Sequence, residues 1–179
     1  MMTTNTKMTA KLMTGTQVPE LEVKTLDSKL WKLSQQKPQN LTMLVFYRGW
    51  FCPICQTYIE DLNNNLKDFA KLGVEVIALS GDSQEKAQQS RDNWGIQQLT
   101  IGCEVSIDLM RRWGLYISQG AFKNEPPLFC EPGLFLVKPD GTLYYAAINS
   151  APFGRPQISE ILWAIEFVLE KKYPIRGTE

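Results

Sequence analysis

The sequence contains no histidine, and this absence narrows the chemistry that the chain can perform. A histidine general base, a Ser-His-Asp triad and a Cys-His catalytic pair are all excluded. Zinc sites that use an imidazole ligand are excluded for the same reason. Any catalysis must therefore rely on cysteine, lysine, arginine, tyrosine or carboxylate side chains.

An excess of charge of one sign and a long apolar run are also absent. Lysine plus arginine is 19 and aspartate plus glutamate is 19, whereas nucleic-acid-binding domains usually carry a basic excess. Residues 1–12 contain no apolar run of the kind that a secretory signal needs. The longest apolar stretch, residues 41–47, is far shorter than the roughly 20 residues of a membrane helix. We therefore expect a cytoplasmic protein with neither a nucleic-acid nor a membrane partner.

The spacing of apolar residues predicts an α/β fold. A nearly continuous apolar run at residues 41–47 and largely apolar segments at 74–79 and 133–137 are typical of buried strands. Segments with helical periodicity separate them, so we expect βαβ crossovers and a parallel core. A Lys-Pro-Asp-Gly turn ending at Gly141 predicts a final hairpin. The sequence thus indicates a central mixed sheet flanked by helices.

The chain length and its outer segments complete this picture. The 179 residues amount to about one domain. Apolar residues on either side of a Leu-Asp-Ser turn between residues 21 and 33 predict an N-terminal β-hairpin extension. We expect residues 1–14 to form a flexible tail, residues 15–179 to form a single domain, and residues 117–131 to form a long loop.

The residues with the clearest chemical meaning are two of the four cysteines, Cys52 and Cys55, which form a C-x-x-C motif. Pro53 suits the first position of a helix, which places Cys52 at the N-cap. Backbone N–H groups and the helix dipole then favour the thiolate form of Cys52, and Arg48 adds positive charge nearby. Cys55 lies one turn further along. We therefore predict a redox pair in which Cys52 attacks and Cys55 resolves.

Less specific interpretations of the same region stay open. The C-x-x-C could be part of a metal site or a pair of inert buried thiols, but Cys103 and Cys130 are isolated and no second C-x-x-C is present. We therefore expect neither a metal nor a cofactor. Cys130 is either an additional resolving thiol or a small buried apolar residue. Trp50 and Phe51 either line a partner-binding surface or pack in the core.

Several motifs make the chain similar to a known family. A buried strand, an aromatic-rich loop, Cys-Pro-Ile-Cys and a helix resemble the thioredoxin fold. Within that fold, the chain resembles the peroxiredoxin-like proteins of the alkyl hydroperoxide reductase/thiol-specific antioxidant family, from about Val18 to the C-terminus. The motifs that carry this resemblance are Phe-Tyr-Arg-Gly at 46–49, Glu-Pro-Gly-Leu-Phe-Leu-Val at 131–137, Pro-Asp-Gly at 139–141, Pro-Phe-Gly-Arg-Pro at 152–156 and Tyr-Pro-Ile-Arg-Gly at 173–177. The resemblance implies a thioredoxin-like fold.

Three positions depart from the pattern of that family. Peroxiredoxins have a threonine or serine three residues before the attacking cysteine and a proline seven residues before it, where this chain has Gly49 and Val45. Pro132 occupies the position of their pocket arginine, which in thioredoxins is a cis-proline facing the cysteines. The resemblance therefore implies a cis Glu131–Pro132 bond, a groove for a partner chain shaped by Pro132, and weak peroxidase activity.

Three functional hypotheses follow from the sequence. The first is thiol-disulfide exchange on a disulfide-bearing protein, and the second is reduction of a hydroperoxide at Cys52. The third is a non-enzymatic redox-sensing interaction module. An enzyme of either kind needs a thiol electron donor, such as a thioredoxin- or glutathione-type reductant, and we expect a monomer or weak dimer. Arg155 either reaches the active-site side of the sheet or pairs with the last helix.

Overall fold

The computed structural model describes residues 12–179, which form nine strands and five α-helices. The strands are β1 Glu22–Thr25, β2 Leu30–Lys32, β3 Leu41–Phe46, β4 Val74–Leu79, β5 Thr100–Cys103, β6 Ile117–Gln119, β7 Leu128–Cys130, β8 Gly133–Val137 and β9 Leu143–Ile148. The helices are α1 Pro53–Asn64, α2 Leu66–Lys71, α3 Gln84–Asn93, α4 Ile107–Arg112 and α5 Ile158–Lys171.

Seven of the strands form one mixed sheet in the order β2-β1-β5-β4-β3-β8-β9. β3, β4 and β5 run in the same direction, β8 runs antiparallel to β3, and β9 runs antiparallel to β8. β1 and β2 form an antiparallel hairpin that extends the sheet beyond β5. The predicted mixed sheet, its flanking helices and the N-terminal hairpin extension are all confirmed.

The central strand β3 is buried on both faces because the sheet lies between two apolar layers. Met43 and Val45 face the layer that contains α1 and α5. Leu44 and Phe46 face the other layer, which contains α4 and Trp113. A strand covered on both sides has no polar alternation, which explains its continuous apolar sequence. The carboxyl end of β3 leads directly to the segment that carries the two predicted redox cysteines.

The predicted long loop over residues 117–131 is wrong in one respect. It contains the short strands β6 and β7, which pair antiparallel with each other. Each strand is three residues long, too short for a period-two pattern to be recognised, and a segment rich in glycine and proline separates them. This hairpin lies beside the active-site segment and supplies some of its neighbours.

The predicted N-terminal tail falls largely outside the described residues, which begin at Leu12. The hydroxyl of Thr14 donates a hydrogen bond of 2.8 Å to the carbonyl of Gly177. Over residues 12–179, no helix combines the length and apolar character that crossing a membrane requires.

Candidate active site

The Cys-Pro-Ile-Cys segment forms the first turn of α1, as the sequence predicts. Cys52 is the N-cap, Pro53 occupies the first helical turn, and the sulfur of Cys52 accepts a hydrogen bond of 3.3 Å from the backbone N–H of Cys55. Proline is suited to this position because its missing N–H would have no partner in the helix. The helix N-terminus therefore presents a backbone donor to the Cys52 sulfur.

The pKa values of the two thiols are shifted in opposite directions. The pKa of Cys52 is lowered to about 6, mainly by a hydrogen bond from the thiol of Cys55, with further contributions from the Cys55 backbone and from Arg48. The pKa of Cys55 is raised by its hydrogen bond to Cys52 and by burial. At neutral pH, Cys52 is the thiolate and Cys55 is the thiol that donates to it. This division matches an attacking and a resolving cysteine.

Both thiols are covered by the surrounding chain. Cys52 is 2% exposed and Cys55 is 0% exposed, and both are free thiols. The structure thus places the two cysteines side by side in the reduced form. A group that reacts with Cys52 must either be small or wait for this region to open.

Arg48, in the loop between β3 and α1, is held by charged and aromatic neighbours. Its terminal nitrogen lies 3.1 Å from a carboxylate oxygen of Glu125, and its Nε lies 3.3 Å from one of Glu131. The guanidinium carbon is 5.4 Å from the ring centre of Phe51 and 4.7 Å from that of Phe129. Such packing desolvates the cation and fixes its orientation.

The backbone conformation and the surroundings of Gly49 explain why position 49 lacks the threonine or serine of the peroxiredoxin pattern. Its φ of +142° is one that side chains rarely adopt, and a Cβ there would lie 2.7 Å from the carboxylate of Asp82. That carboxylate accepts hydrogen bonds from the backbone of Trp50 at 2.9 Å and from Ser80 at 3.0 Å. Burial raises the pKa of Asp82 to about 6. Asp82 thus anchors the loop between β3 and α1 through the backbone of Trp50, and its carboxylate fills the space that a side chain at position 49 would occupy.

The sequence interpretation missed Asp82, Glu125 and Glu131. Asp82 follows β4, which is the parallel neighbour of β3, and carboxyl ends of parallel strands meet at one edge of a sheet. That signal could have identified Asp82. Glu125 and Glu131 lie far along the chain in the unrecognised β6–β7 hairpin region, and no local pattern connects them with Arg48.

The prediction of a cis Glu131–Pro132 bond is wrong, since the structure has the trans form. The backbone on both sides is held in place by hydrogen bonds, from Glu131 N–H to Tyr116 (2.8 Å) and from Asn149 N–H to the carbonyl of Pro132 (2.9 Å). These contacts are compatible with the trans form, which X–Pro bonds prefer by about 0.5–1 kcal/mol. Pro132 is buried at the start of β8.

The two aromatic residues before Cys52 have different environments. Trp50 is 38% exposed, and the ammonium group of Lys86 lies 5.3 Å from the centre of its ring. Phe51 is buried and packs edge-on against Phe129 at 5.0 Å. Trp50 therefore lies at the surface beside the site, whereas Phe51 belongs to the core.

Arg155 reaches the active-site helix from the segment between β9 and α5. It donates a hydrogen bond of 3.0 Å to the carbonyl of Ile54 and lies 4.2 Å from the ring centre of Tyr58. Its positive charge opposes the raised pKa of Cys55. An open cleft of about 690 Å³ lies beside it and includes Phe153 in its wall. Of the two predicted positions for Arg155, the structure shows the one beside the active site.

The thiols of the other two cysteines contact backbone carbonyls outside the Cys-Pro-Ile-Cys turn. Cys130 is buried in the apolar layer opposite α1, where burial raises its pKa to about 12, and its thiol donates to the carbonyl of Tyr47. Cys103 is also buried and its thiol faces the carbonyl of Lys24. Both have the surroundings of small buried apolar residues. No group of three histidine, cysteine or carboxylate side chains suited to a metal ion occurs among residues 12–179.

The acidity of Cys52 leads to a direct prediction. Thiolate formation in the reduced protein should have a midpoint near pH 6, rather than the usual value of about 8.5. Since the folded environment favours the charged form, thiolate is lost only as the pH falls through about 6. Absorbance at 240 nm measures this titration. The step should disappear in Cys52→Ser, and a midpoint near pH 8 in the unmodified chain would contradict the prediction.

Comparison with known proteins identifies the family of the chain. Residues 14–146 match the model of the AhpC/TSA family. Peroxiredoxin-2 of Macaca fascicularis is 33% identical over 128 residues, which cover 69% of this chain and 62% of that protein.

Solved structures show the same fold. Peroxiredoxin 6 of Arenicola marina, in a cysteine-to-serine mutant, superposes with a TM-score of 0.75 at 22% identity, over 90% of this chain and 76% of that one. The mitochondrial 2-Cys peroxiredoxin of Plasmodium falciparum has a TM-score of 0.70 at 21% identity, over 89% and 96% of the two chains. The chain therefore belongs to the AhpC/TSA family, has the thioredoxin-like fold of the peroxiredoxins and is an oxidoreductase.

Proposed function

We propose that the protein is a thiol peroxidase that uses Cys52 and Cys55 as an intrachain redox pair. The Cys52 thiolate attacks a hydroperoxide, an S–O bond forms and the O–O bond breaks, and the departing alkoxide or hydroxide takes up a proton. Cys52 is thereby oxidised to a sulfenic acid. The Cys55 thiol then attacks this sulfur, water leaves, and a disulfide forms.

A thiol donor completes the cycle by reducing the disulfide back to two thiols. We propose a thioredoxin- or glutathione-type reductant as the donor class, because the oxidised product is an ordinary intrachain disulfide. Arg155, which contacts the carbonyl of Ile54 within the Cys-Pro-Ile-Cys turn, holds this end of α1 against the segment that follows β9.

The observation that carries the proposal is an acidic thiol that is almost fully buried beside a cation. Cys52 is 2% exposed, and a protein disulfide would have to approach its sulfur through the covering chain. A hydroperoxide is much smaller and places its charge on an oxygen as the O–O bond breaks. We expect Arg48, which contributes to the low pKa of Cys52, to stabilise that charge.

Thiol-disulfide exchange on a protein is the second candidate function. The Cys-Pro-Ile-Cys turn with a low-pKa first cysteine favours it, because that arrangement suits attack on a disulfide followed by release through Cys55. It is the reverse of the second half of the proposed peroxidase cycle, in which a thiol donor reduces the Cys52–Cys55 disulfide. The difference between the two functions is the oxidant that reacts with Cys52 first.

A direct test is to mix the reduced protein with hydrogen peroxide or with a small disulfide, and to follow the tryptophan fluorescence by stopped flow. We expect oxidation by peroxide to be at least about 1,000-fold faster than that of free cysteine, because the thiolate is already formed and Arg48 stabilises the leaving oxygen. Trp50→Phe identifies which part of the signal comes from the tryptophan beside Cys52. A peroxide rate like that of free cysteine, with a fast reaction towards the disulfide, would instead support the exchange function.

A further inference from the structure

The Gly49–Cys52 turn, which leads from β3 into α1, is attached to the sheet through its second residue. A hydrogen bond of 3.1 Å from the N–H of Cys52 to the carbonyl of Gly49 closes the turn. The N–H of the second residue takes no part in such a closing bond and needs another partner. Here it belongs to Trp50 and donates a hydrogen bond of 2.9 Å to the carboxylate of Asp82. Asp82 therefore holds the backbone two residues before the attacking sulfur.

Asp82 is itself fixed to the edge of the sheet. Its side chain is buried, and the oxygen that binds Trp50 also accepts a hydrogen bond of 3.0 Å from the hydroxyl of Ser80. The backbone N–H of Ser80 donates to the carbonyl of Gly102 in β5 at 3.2 Å. The carbonyl of Asp82 accepts the N–H of Glu104, just after β5, at 2.8 Å. A continuous series of hydrogen bonds thus connects β5 with the Gly49–Cys52 turn.

Cys52 connects this turn with α1. Its sulfur accepts the N–H of Cys55 at 3.3 Å, and its carbonyl accepts the N–H of Gln56 at 3.0 Å. The contact to the sulfur requires the extended backbone of an N-cap residue, which Cys52 has with φ of −100° and ψ of 104°. If the turn were free to move, the sulfur would leave the helix N-terminus, where a thiolate is stabilised.

We propose that Asp82 is a positioning residue, which fixes the Gly49–Cys52 turn and thereby holds the Cys52 sulfur at the N-terminus of α1 in the geometry for attack. The proposal rests on the peroxidase function proposed above. Asp82 acts through the backbone N–H of Trp50, so what it supplies is a hydrogen-bond acceptor at a fixed place. Its negative charge, which Lys86 on α3 faces, is not what the turn needs.

Charge and position make different predictions for two replacements. Asp82→Ala and Asp82→Asn both remove the negative charge. Asparagine keeps an amide oxygen that can accept the Trp50 N–H and the Ser80 hydroxyl, whereas alanine has no acceptor. If only the charge mattered, both replacements would lower the pKa of Cys52 alike, because each removes a negative charge from its surroundings. If Asp82 positions the turn, Asp82→Ala alone should impair Cys52.

The test measures two quantities for each variant, the stopped-flow rate with hydrogen peroxide and the titration of Cys52 at 240 nm. We expect Asp82→Ala to slow peroxide reduction about 10-fold at a pH where Cys52 is fully ionised. It should also raise the pKa of Cys52 by about 0.5 unit, because the sulfur loses its place at the helix N-terminus. Asp82→Asn should keep the rate within about 2-fold of the unmodified chain, since both hydrogen bonds can still form.

Two further variants separate positioning from a general loss of stability. Ser106→Ala removes the N-cap hydrogen bond of α4, on the other face of the sheet from α1, and should leave the rate of the folded molecules unchanged. Ser80→Ala keeps the carboxylate of Asp82 but removes the hydroxyl that orients it. It should slow the reaction about 3-fold, and it supplies the result if Asp82→Ala fails to fold.

Equal effects of Asp82→Ala and Asp82→Asn on the rate and on the pKa of Cys52 would overturn the proposal. An unchanged rate in Asp82→Ala, or in Ser80→Ala where the first variant does not fold, would do the same. If the unmodified chain reacted with peroxide no faster than free cysteine does, the proposed peroxidase function would fail. The titration of Cys52 would still decide the role of Asp82 in that case, because it requires no peroxide.

Discussion

Replacing Cys52 with serine should reduce hydroperoxide turnover by at least about 1,000-fold, since a serine hydroxyl at neutral pH lacks the nucleophilicity of a thiolate. Replacing Cys55 with serine should have a different effect. The first oxidation should continue, because the attacking sulfur is still present, but Cys52 should stop at the sulfenic acid. The amount of peroxide consumed in the absence of a thiol donor should then be one equivalent per chain.

Two measurements separate these effects. Peroxide consumption in the presence of a thiol donor gives the turnover of each variant, and labelling with dimedone followed by mass spectrometry detects the sulfenic acid in Cys55→Ser. Cys103→Ser is the matched control, since Cys103 is also buried but lies on β5. If Cys55→Ser turned over at the normal rate with a protein dithiol donor and formed no sulfenic acid, the resolving role of Cys55 would be wrong.

Replacing Arg48 with methionine should slow the reaction with peroxide about 100-fold, which is typical for the loss of one group that stabilises a developing oxyanion. The pKa of Cys52 should also rise, because Arg48 contributes a hydrogen bond and a charge that lower it. The rate should therefore be measured at a pH where Cys52 is ionised in both proteins. The rate of Arg48→Lys should lie between those of the unmodified chain and Arg48→Met, because lysine keeps the charge but loses the planar fork of donors.

The stability of this variant must be measured beside its activity. Removing Arg48 leaves Glu131 buried without its cation, and breaking a buried ion pair in this way costs about 3–5 kcal/mol. Thermal unfolding followed by circular dichroism gives the folded fraction for which the rate is corrected. Arg155→Met removes the arginine beside Cys55 instead and should have a much smaller effect on the first oxidation. Equal effects of the two replacements on that step would contradict the specific role of Arg48.

The sequence was sufficient to predict those parts of the fold that local patterns determine. β3 and β8 appear as largely apolar runs because all of their residues are buried, and β4 is apolar apart from the exposed Glu75. The start of α1 follows from a proline placed directly after an N-cap cysteine. The same local chemistry predicted the acidity of Cys52 and the roles of the two cysteines, which remain predictions until they are tested.

The features that the sequence did not reveal depend on contacts between distant segments. Gly49 departs from the peroxiredoxin pattern at a position where the carboxylate of Asp82 occupies the space of a side chain. The carboxylates around Arg48 are separated from it by 77 residues in the case of Glu125. α1 ends at Asn64 and α2 begins at Leu66, and the side chain of Asn65 between them bonds back to the preceding turn without a proline or glycine to mark the boundary.

The complete burial of Cys55 has a consequence for the way the enzyme would exchange electrons with its surroundings. A disulfide between two sulfurs that lie beneath the surface is exposed when the first turn of α1 moves outwards, so a thiol donor that does not bind this turn would reduce it slowly. A donor that binds the opened turn would reduce it quickly. The disulfide form would then persist after the peroxide has been consumed, until a donor that binds the first turn of α1 reduces it.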